Sequence, residues 1–321
     1  MAALAAKRVP TAQIAPPYDF DLATVDDGKR ELLTLERTKA LFEQAYAQAR
    51  QSSGRERATV RSIRLSTKSF DVESAKWAAS ELEKMPALVV ADLSDIIAGR
   101  ETSIGLAVLN TMCMALTSQE GLRRLDVSEN AVGERGVRAL EEPLQLMYAK
   151  SLDEVLFCND GLSALSVEMI RDIFLRSSKE TKLRALHFFN NMSGDGGGVA
   201  CADIVRHSPQ LEDLRMSSTR ISGQGAKDMA DCLRFIPLAR SIEVADGSFG
   251  QVRQDAGWFV LSSTLLTFFS FLLLLLLLLL LLLSPLALLS LHSLCFRPWK
   301  PWLCPCPATR CRPGRARCWR C

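Results

Sequence analysis

The chain has 321 residues, with 39 Lys and Arg against 36 Asp and Glu, and a formal net charge of +3. Seven of the basic residues and none of the acidic ones lie after Asp255, so residues 1–255 carry a net charge of −4. This mildly acidic body lacks the concentrated basic surface that nucleic-acid binding requires, and we therefore exclude a nucleic acid as the partner.

From the N-terminal sequence we predict that residues 1–25 are disordered and that residues 26–60 form a region that caps the next domain. Three prolines interrupt any helix in the first stretch, which also lacks the apolar run of a secretory signal. From about Asp26 to Ala49, apolar residues recur at helical spacing among charged ones. We expect this helix to cover the first unit of the domain that follows.

An internal repeat fills residues 61–250. The copies begin 28 to 34 residues apart, which is typical of long leucine-rich repeats in which a short strand is followed by a full helix. We therefore predict an α/β leucine-rich-repeat solenoid of about seven repeats, a horseshoe like that of ribonuclease inhibitor. Such a solenoid needs a cap at each end; residues 26–60 supply the N-terminal cap, whereas the seventh repeat breaks off into a hydrophobic segment. The central residues of the predicted strands are Ile63, Ala91, Leu125, Val155, Leu186, Leu214 and Ile242.

A hydrophobic segment over 257–296 contains twelve consecutive leucines, and a basic, Cys-rich tail over 297–321 follows it. Residues 258–283 would make about 39 Å of helix, enough to cross a bilayer core of about 30 Å. Two interpretations stay open. The segment is either a C-terminal hydrophobic helix that anchors the chain in a membrane, or non-coding sequence joined to a truncated repeat domain.

The sequence offers little support for an active site of its own. The glycines of 194–198 lack the Gly-Lys-Ser/Thr of a phosphate loop, and they match the turn into the helix of another repeat. Cys158 and His187 are a suggestive nucleophile and base on adjacent predicted strands, but no carboxylate is evident to orient the histidine.

The four scattered cysteines of residues 1–255 are typical of reduced thiols in a cytosolic protein. We predict no cofactor and no metal site.

Two polar residues stand out at the ends of predicted strands. Five residues after the central strand residue, this type of repeat carries an Asn that satisfies turn backbone groups; Asn130 and Asn191 occupy that position, and Asp160 takes it in the repeat between them. Asn159 lies one residue earlier, so we expect it to point toward solvent or a partner; an asparagine shifted by local turn geometry is the alternative. Arg100 follows a strand at the same rim, where it is either a solvated or a functional arginine.

The loop that ends at Arg100 reads Ser-Asp-Ile-Ile-Ala-Gly-Arg, which a generic leucine-rich repeat does not share, since it has only the Leu and Asn frame in common. Further stretches with a distinctive sequence accompany this loop, and the full set is 92–100, 125–139, 158–162, 186–195, 208–214 and 217–220. Taken together, these stretches resemble Ran GTPase-activating proteins, especially those of plants and algae. The resemblance covers roughly 60–250.

The resemblance implies a GTPase activator, not an enzyme, that binds the small GTPase Ran in its GTP state and supports nucleocytoplasmic transport. It implies that the asparagine matching Asn159 contacts a tyrosine of Ran and helps Ran's own glutamine to orient the attacking water. The arginine matching Arg100 is implied to support function without inserting at the phosphates. The further residues expected on the partner surface are Asp95, Asp126, Asn130, Asp160, His187 and Asn190.

The chain also departs from the family pattern. Family members usually carry more repeats and then an acidic tail, and plant members have an N-terminal Trp-Pro-Pro motif that is not found in this sequence. We expect a monomer in the cytoplasm or at the nuclear envelope, with membrane attachment through 258–283 if that segment is a true anchor. The alternative function is a non-catalytic leucine-rich-repeat scaffold that binds a protein partner.

Overall fold

The computed structural model describes residues 18–176 and 180–244. Within these ranges, eight parallel strands form one sheet in the order β1-β3-β5-β6-β7-β8-β9-β10, and β2 pairs with β4 in a small second sheet. The strands are β1 Phe20–Asp21, β2 Glu31–Leu32, β3 Ser62–Arg64, β4 Lys68–Ser69, β5 Val90–Asp92, β6 Arg124–Asp126, β7 Glu154–Leu156, β8 Ala185–His187, β9 Asp213–Arg215 and β10 Ser241–Glu243.

One α-helix lies in each connection between neighbouring strands of the large sheet, and consecutive helices from α1 to α7 pack against each other within the described residues. This alternation of parallel strands and helices is an α/β arrangement of the leucine-rich-repeat type. The helices are α1 Leu35–Ser53, α2 Val72–Leu82, α3 Thr102–Leu116, α4 Gly133–Lys150, α5 Ala164–Leu175, α6 Gly194–Arg206 and α7 Gly223–Cys232. Short 3₁₀ turns lie at Val25–Gly28, Arg57–Thr59 and Leu233–Phe235.

The strand register follows the repeat spacing. The seven central strand residues lie opposite one another from β3 to β10, as the sequence predicts. Leu125 and Val127 of one repeat are fully buried, as are Val155 and Phe157 of the next. Because alternate strand residues point to opposite faces, the apolar pair of every repeat enters the space between sheet and helices, where the core lies.

The N-terminal region corrects two expectations. Residues 18–25 are ordered, not disordered, because β1 adds a strand to the first repeat and buries Phe20 completely. The ring of Phe20 lies 5.0 Å from that of Phe42 and 4.9 Å from that of Tyr46, both on α1. Aromatic contacts of this kind bury large apolar areas, so β1 and α1 together cover the end of the core.

The capping helix begins at Leu35, not near Asp26. Thr34 is its N-cap, with the side-chain hydroxyl accepting a hydrogen bond from the backbone N–H of Arg37 at 3.4 Å. A threonine in this position satisfies one of the free N–H groups of the first turn. The residues before it form a 3₁₀ turn and β2 instead of helix.

The glycine run 194–198 lies in the first turns of α6, as its match to another repeat predicts. Gly194 has φ +55°, and a Cβ on Gly197 would lie 2.1 Å from the Cβ of Ser193. The run is therefore required by backbone conformation and close packing, both of which exclude a larger side chain.

The C-terminal segments predicted from the sequence, 257–296 and 297–321, lie outside the described residues, and so does the predicted membrane helix over 258–283. Among the residues that the structure does describe, no helix is long and apolar enough to cross a membrane.

Candidate partner-binding rim

A row of residues with left-handed backbone follows the strands. The fourth residue after each central strand residue has a positive φ in six consecutive repeats, although residues other than glycine visit this region rarely. Asn and Asp tolerate it best among the non-glycine residues. We call these six residues the rim row: Thr67 (φ 67°), Asp95 (52°), Glu129 (64°), Asn159 (55°), Asn190 (57°) and Ser218 (54°).

Backbone hydrogen bonds explain the repeated conformation. The N–H of Glu129 donates to the carbonyl of Cys158 at 2.9 Å, and the N–H of Asn159 donates to the carbonyl of Phe189 at 3.0 Å. The N–H of Asn190 makes the same bond to the following repeat at 2.8 Å. The ladder of the parallel sheet thus continues past the strands, and the side chains of Glu129, Asn159 and Asn190 lie exposed at its end.

The next residue of each repeat lies inside. Asn130, Asp160 and Asn191, which we call the core ladder, are at most 3% exposed. The backbone N–H of Asn130 donates to Asp160 Oδ1 at 2.9 Å, and the backbone N–H of Asp160 donates to Asn191 Oδ1 at 3.1 Å. Each side chain therefore ties its own turn to the preceding repeat, which is what buried backbone groups require.

Asp160 differs chemically from its two neighbours in the core ladder. The Nδ2 of Asn191 donates to the carbonyls of Phe157 and Phe188, both at 2.8 Å, whereas Asp160 Oδ2 is buried without a hydrogen-bond partner among the described residues. Burial raises the pKa of Asp160 well above its usual range. A carboxylate only accepts hydrogen bonds, so Asp160 lacks the N–H donors with which Asn191 binds two backbone carbonyls.

The amide of Asn159 joins two neighbours of the rim row. Its Nδ2 donates to Glu129 Oε2 at 2.5 Å, and its Oδ1 accepts from Asn190 Nδ2 at 2.8 Å. Three consecutive repeats therefore contribute to one exposed hydrogen-bonded chain. Asn159 is exposed, as predicted, and the turn geometry that places it there is shared by the whole row.

Arg100 is bound to the protein's own backbone. Its Nη2 donates to the carbonyls of Leu33 at 3.0 Å and Ser69 at 2.8 Å, and its Nε donates to the Ser69 hydroxyl at 3.2 Å. These acceptors lie next to or within the small sheet of β2 and β4. The guanidinium thus holds the N-terminal cap against the rim, since Arg can serve several acceptors at once.

The remaining predicted partner residues divide between surface and interior. Asn190 is exposed beside Asn159, and Asp126 is half-buried, with a pKa raised by burial and by the neighbouring Asp92. Asn130 and Asp160 correct the prediction, because as members of the core ladder they have no surface for a partner.

Asp95 and His187 are also held by the protein's own side chains. Asp95 is 8% exposed and accepts from Arg30 Nη2 at 2.5 Å. His187 is 5% exposed, and its Nε2 lies 3.0 Å from Asp213 Oδ2. Burial works against ionisation of Asp213, but His187 and Arg215 outweigh it and lower the pKa to about 2. Asp213 is therefore a carboxylate beside His187 that the sequence analysis does not identify. Burial raises the pKa of the Cys158 thiol to about 12, which disfavours the thiolate.

Sequence reasoning missed four residues at this rim. Glu129 accepts from Asn159, and the side chain of Arg30 is 65% exposed beside Asp95. Phe189 and Met192 are exposed apolar side chains in the loop after β8, at 37% and 55%. Glu129 could have been found by its offset, since it occupies the same repeat position as Asn159.

Comparison with known proteins identifies relatives of this chain. A Ran GTPase-activating protein of Arabidopsis thaliana is 46% identical over 78 residues, which is 24% of this chain and 14% of that protein. One of Drosophila melanogaster is 28% identical over 191 residues, covering 57% and 32% of the two chains. The chain is similar to Ran GTPase-activating proteins. The resemblance that the sequence motifs predict is thereby confirmed.

A third relative supports the repeat type alone. The rat "NACHT, LRR and PYD domains-containing protein 3" is 22% identical over 147 residues, 46% of this chain and 14% of that protein. No family model matches the chain. The chain spans about a third or less of the length of the Ran GTPase-activating proteins it matches.

Proposed function

We propose that this chain stimulates GTP hydrolysis by a Ran-type small GTPase in its GTP state. The observation that carries the proposal is the similarity of the chain to proteins named Ran GTPase-activating protein in a plant and in an insect. An activator of this kind supports nucleocytoplasmic transport by controlling the nucleotide state of its partner.

The chemistry of the rim supports activation by positioning. Asn159 offers a neutral amide at an exposed edge, and it can orient a partner's side chain without adding charge at the phosphates. Hydrolysis then depends on the GTPase's own water-positioning residue, brought into its productive geometry by the contact. Asn190 and the exposed Phe189 lie next to Asn159 and would extend the docking surface.

Arg100 has a supporting role in this proposal. Its guanidinium is occupied by the carbonyls of Leu33 and Ser69 and is half-buried, so it would secure the cap instead of reaching the nucleotide. An inserted arginine needs a free guanidinium to stabilise the charge of the transition state.

The proposal includes no active site within the chain itself. The one nucleophile and base pair suggested by the sequence consists of a buried thiol and a histidine that faces Asp213. We propose a monomer built as a horseshoe, working in the cytoplasm or at the nuclear envelope. Its four body cysteines are free and buried, which suits a reducing compartment.

The test is single-turnover hydrolysis of GTP bound to Ran, measured with increasing amounts of the full chain. We expect the rate constant to rise with the amount of chain and to saturate, and Asn159→Ala to remove most of the stimulation. Binding to the GTP form without stimulated hydrolysis would instead identify the chain as a non-catalytic scaffold.

A further inference from the structure

The exposed hydrogen-bonded chain of the rim row determines the orientation of one amide. A carboxylate only accepts hydrogen bonds, so Glu129 can bind the Nδ2 side of Asn159 but not its Oδ1 side. Asn190 completes the arrangement by donating its own Nδ2 to Asn159 Oδ1 at 2.8 Å. Reversing the amide of Asn159 would set its oxygen against the carboxylate and break the bond at that end.

The orientation leaves half of the amide unused. A primary amide has two N–H donors and two acceptor lone pairs, and the two rim contacts occupy one of each. Among the residues that the structure describes, no partner occupies the second donor and the second acceptor of Asn159 at the exposed edge. They suit a partner group that both donates and accepts, such as a hydroxyl.

We infer that Glu129 and Asn190 are positioning residues that hold the amide of Asn159 in the orientation a GTPase partner requires. This inference rests on the proposed function and deepens it. Neither residue needs to touch the reacting atoms, since each acts through Asn159.

The backbone makes the arrangement rigid. All three residues have left-handed φ values between 55° and 64°, and each donates its backbone N–H to the next repeat. The bases of the side chains are therefore held by the sheet ladder, and the amide can vary mainly by rotation about its own side-chain bonds. Contacts at both ends of the amide remove that freedom before the partner arrives, which lowers the cost of ordering the site.

The kinetic test compares variants of the full chain in the Ran hydrolysis assay. We expect Glu129→Ala to lower kcat about tenfold and to leave KM nearly unchanged. The Asn159 amide stays at the rim in this variant but is no longer held in one orientation. Glu129→Gln should restore activity, since the Gln Oε1 can still accept from Asn159. Asn190→Asp should impair kcat, because its carboxylate would oppose Asn159 Oδ1.

Ser218 supplies the matched controls. It lies in the rim row at φ 54°, is exposed, and follows Asn190 by one repeat. Ser218→Ala introduces the same left-handed alanine as Glu129→Ala, and Ser218→Asp the same added charge as Asn190→Asp. Neither control should change kcat by more than about twofold, and unfolding midpoints should establish that every variant is folded.

A spectroscopic readout follows the amide directly. In ¹H–¹⁵N spectra of the free chain, the two side-chain amide protons of Asn159, assigned by their loss in Asn159→Ala, should be well separated because one is bound to Glu129. Glu129→Ala should bring them toward the values of a freely exposed amide.

Two kinetic results would overturn the inference alone. One is stimulation that needs Asn159 while Glu129→Ala keeps the wild-type kcat, and the other is Glu129→Gln as impaired as Glu129→Ala. A wild-type chain that stimulates no hydrolysis would overturn the proposed function and this inference together.

Discussion

The core ladder and the exposed part of the rim row, which is Glu129, Asn159 and Asn190, are adjacent in sequence and opposite in environment. Asn191 is 3% exposed, and its side chain bonds backbone groups of two repeats. Asn190, one residue earlier, is exposed, and its side chain bonds the side chain of Asn159. The comparison teaches that the position within the repeat, not the residue type, decides what an asparagine does in this fold. The core ladder holds repeats together, and within the rim row the exposed side chains of Glu129, Asn159 and Asn190 are available to a partner.

The sharpest contrast in stability comes from removing one amide of each row. Asn191→Ala leaves the backbone N–H groups of Asp160 and Leu162 and the carbonyls of Phe157 and Phe188 without their partner. At about 1–3 kcal/mol for a buried unsatisfied group, with some relaxation, we expect a loss of about 3–5 kcal/mol in the free energy of unfolding.

Asn190→Ala is the control for that substitution and should cost about 1 kcal/mol, the strain of a left-handed alanine. Urea unfolding of both variants measures the difference. Equal losses would contradict the division between the two rows.

For GTP hydrolysis, unlike stability, we expect the larger effect from the rim row. Asn159→Ala should lower stimulated hydrolysis by roughly a hundredfold, comparable to the loss of one positioned hydrogen-bonding group in other sites. Its unfolding midpoint should move only as far as that of Ser218→Ala, which carries the same backbone strain at φ 54°. An activity loss that Ser218→Ala reproduces would mean that strain, not the amide, is responsible.

A substitution of Arg100 tests whether this arginine supports the fold or is inserted at the phosphates of GTP. Arg100→Ala removes the bonds to Leu33 and Ser69, and we expect a loss of stability of about 1–2 kcal/mol with a decrease in stimulated hydrolysis of no more than about tenfold. An arginine inserted at the phosphates would cost about 10³-fold or more. Single-turnover rates at saturating chain distinguish the two outcomes.

The smallest effect is a gain in stability within the core ladder. Asp160→Asn supplies the amide that its neighbours have and should stabilise the chain by about 1 kcal/mol at neutral pH. Because burial raises the folded-state pKa of Asp160, the folded state binds a proton more readily than the unfolded state, and wild-type stability falls as pH rises above the unfolded value near 4.

The difference between Asp160→Asn and wild type should therefore grow as pH rises from about 4 and disappear toward lower pH. Urea midpoints at several pH values test this sign. A difference that shrinks as pH rises would contradict a pKa of Asp160 that burial raises.

The repeat region was largely predictable because the same pattern of apolar residues occurs in every repeat. The central strand residues from Ile63 to Ile242 pair in the predicted register, since the pattern within each strand allows only one alignment of neighbouring strands. β1 was missed because a two-residue strand carries no periodicity of its own. α1 was predicted to begin too early because the acidic residues near Asp26 resemble a cap, whereas the structure uses Thr34.

The candidate site was predictable only in part. The exposure of Asn159 followed from its offset, but its contacts with Glu129 and Asn190 depend on side chains brought together from three repeats. Asn130 and Asp160 were expected on the partner surface because they lie in matching motifs, yet those motifs mix structural and exposed positions. The spacing of the sequence identifies which position of the repeat a residue occupies. It does not predict the direction in which the side chain points or the side chains that it contacts.

The most direct test of the division between the two rows is the response of their amides to the partner. The side-chain amide signals of Asn159 and Asn191 can be followed in the full chain as Ran bound to a non-hydrolysable GTP analogue is added. We expect the Asn159 signals to shift or broaden with the complex, while those of Asn191 stay in place. Complex formation that leaves the Asn159 signals unchanged would contradict the central claim.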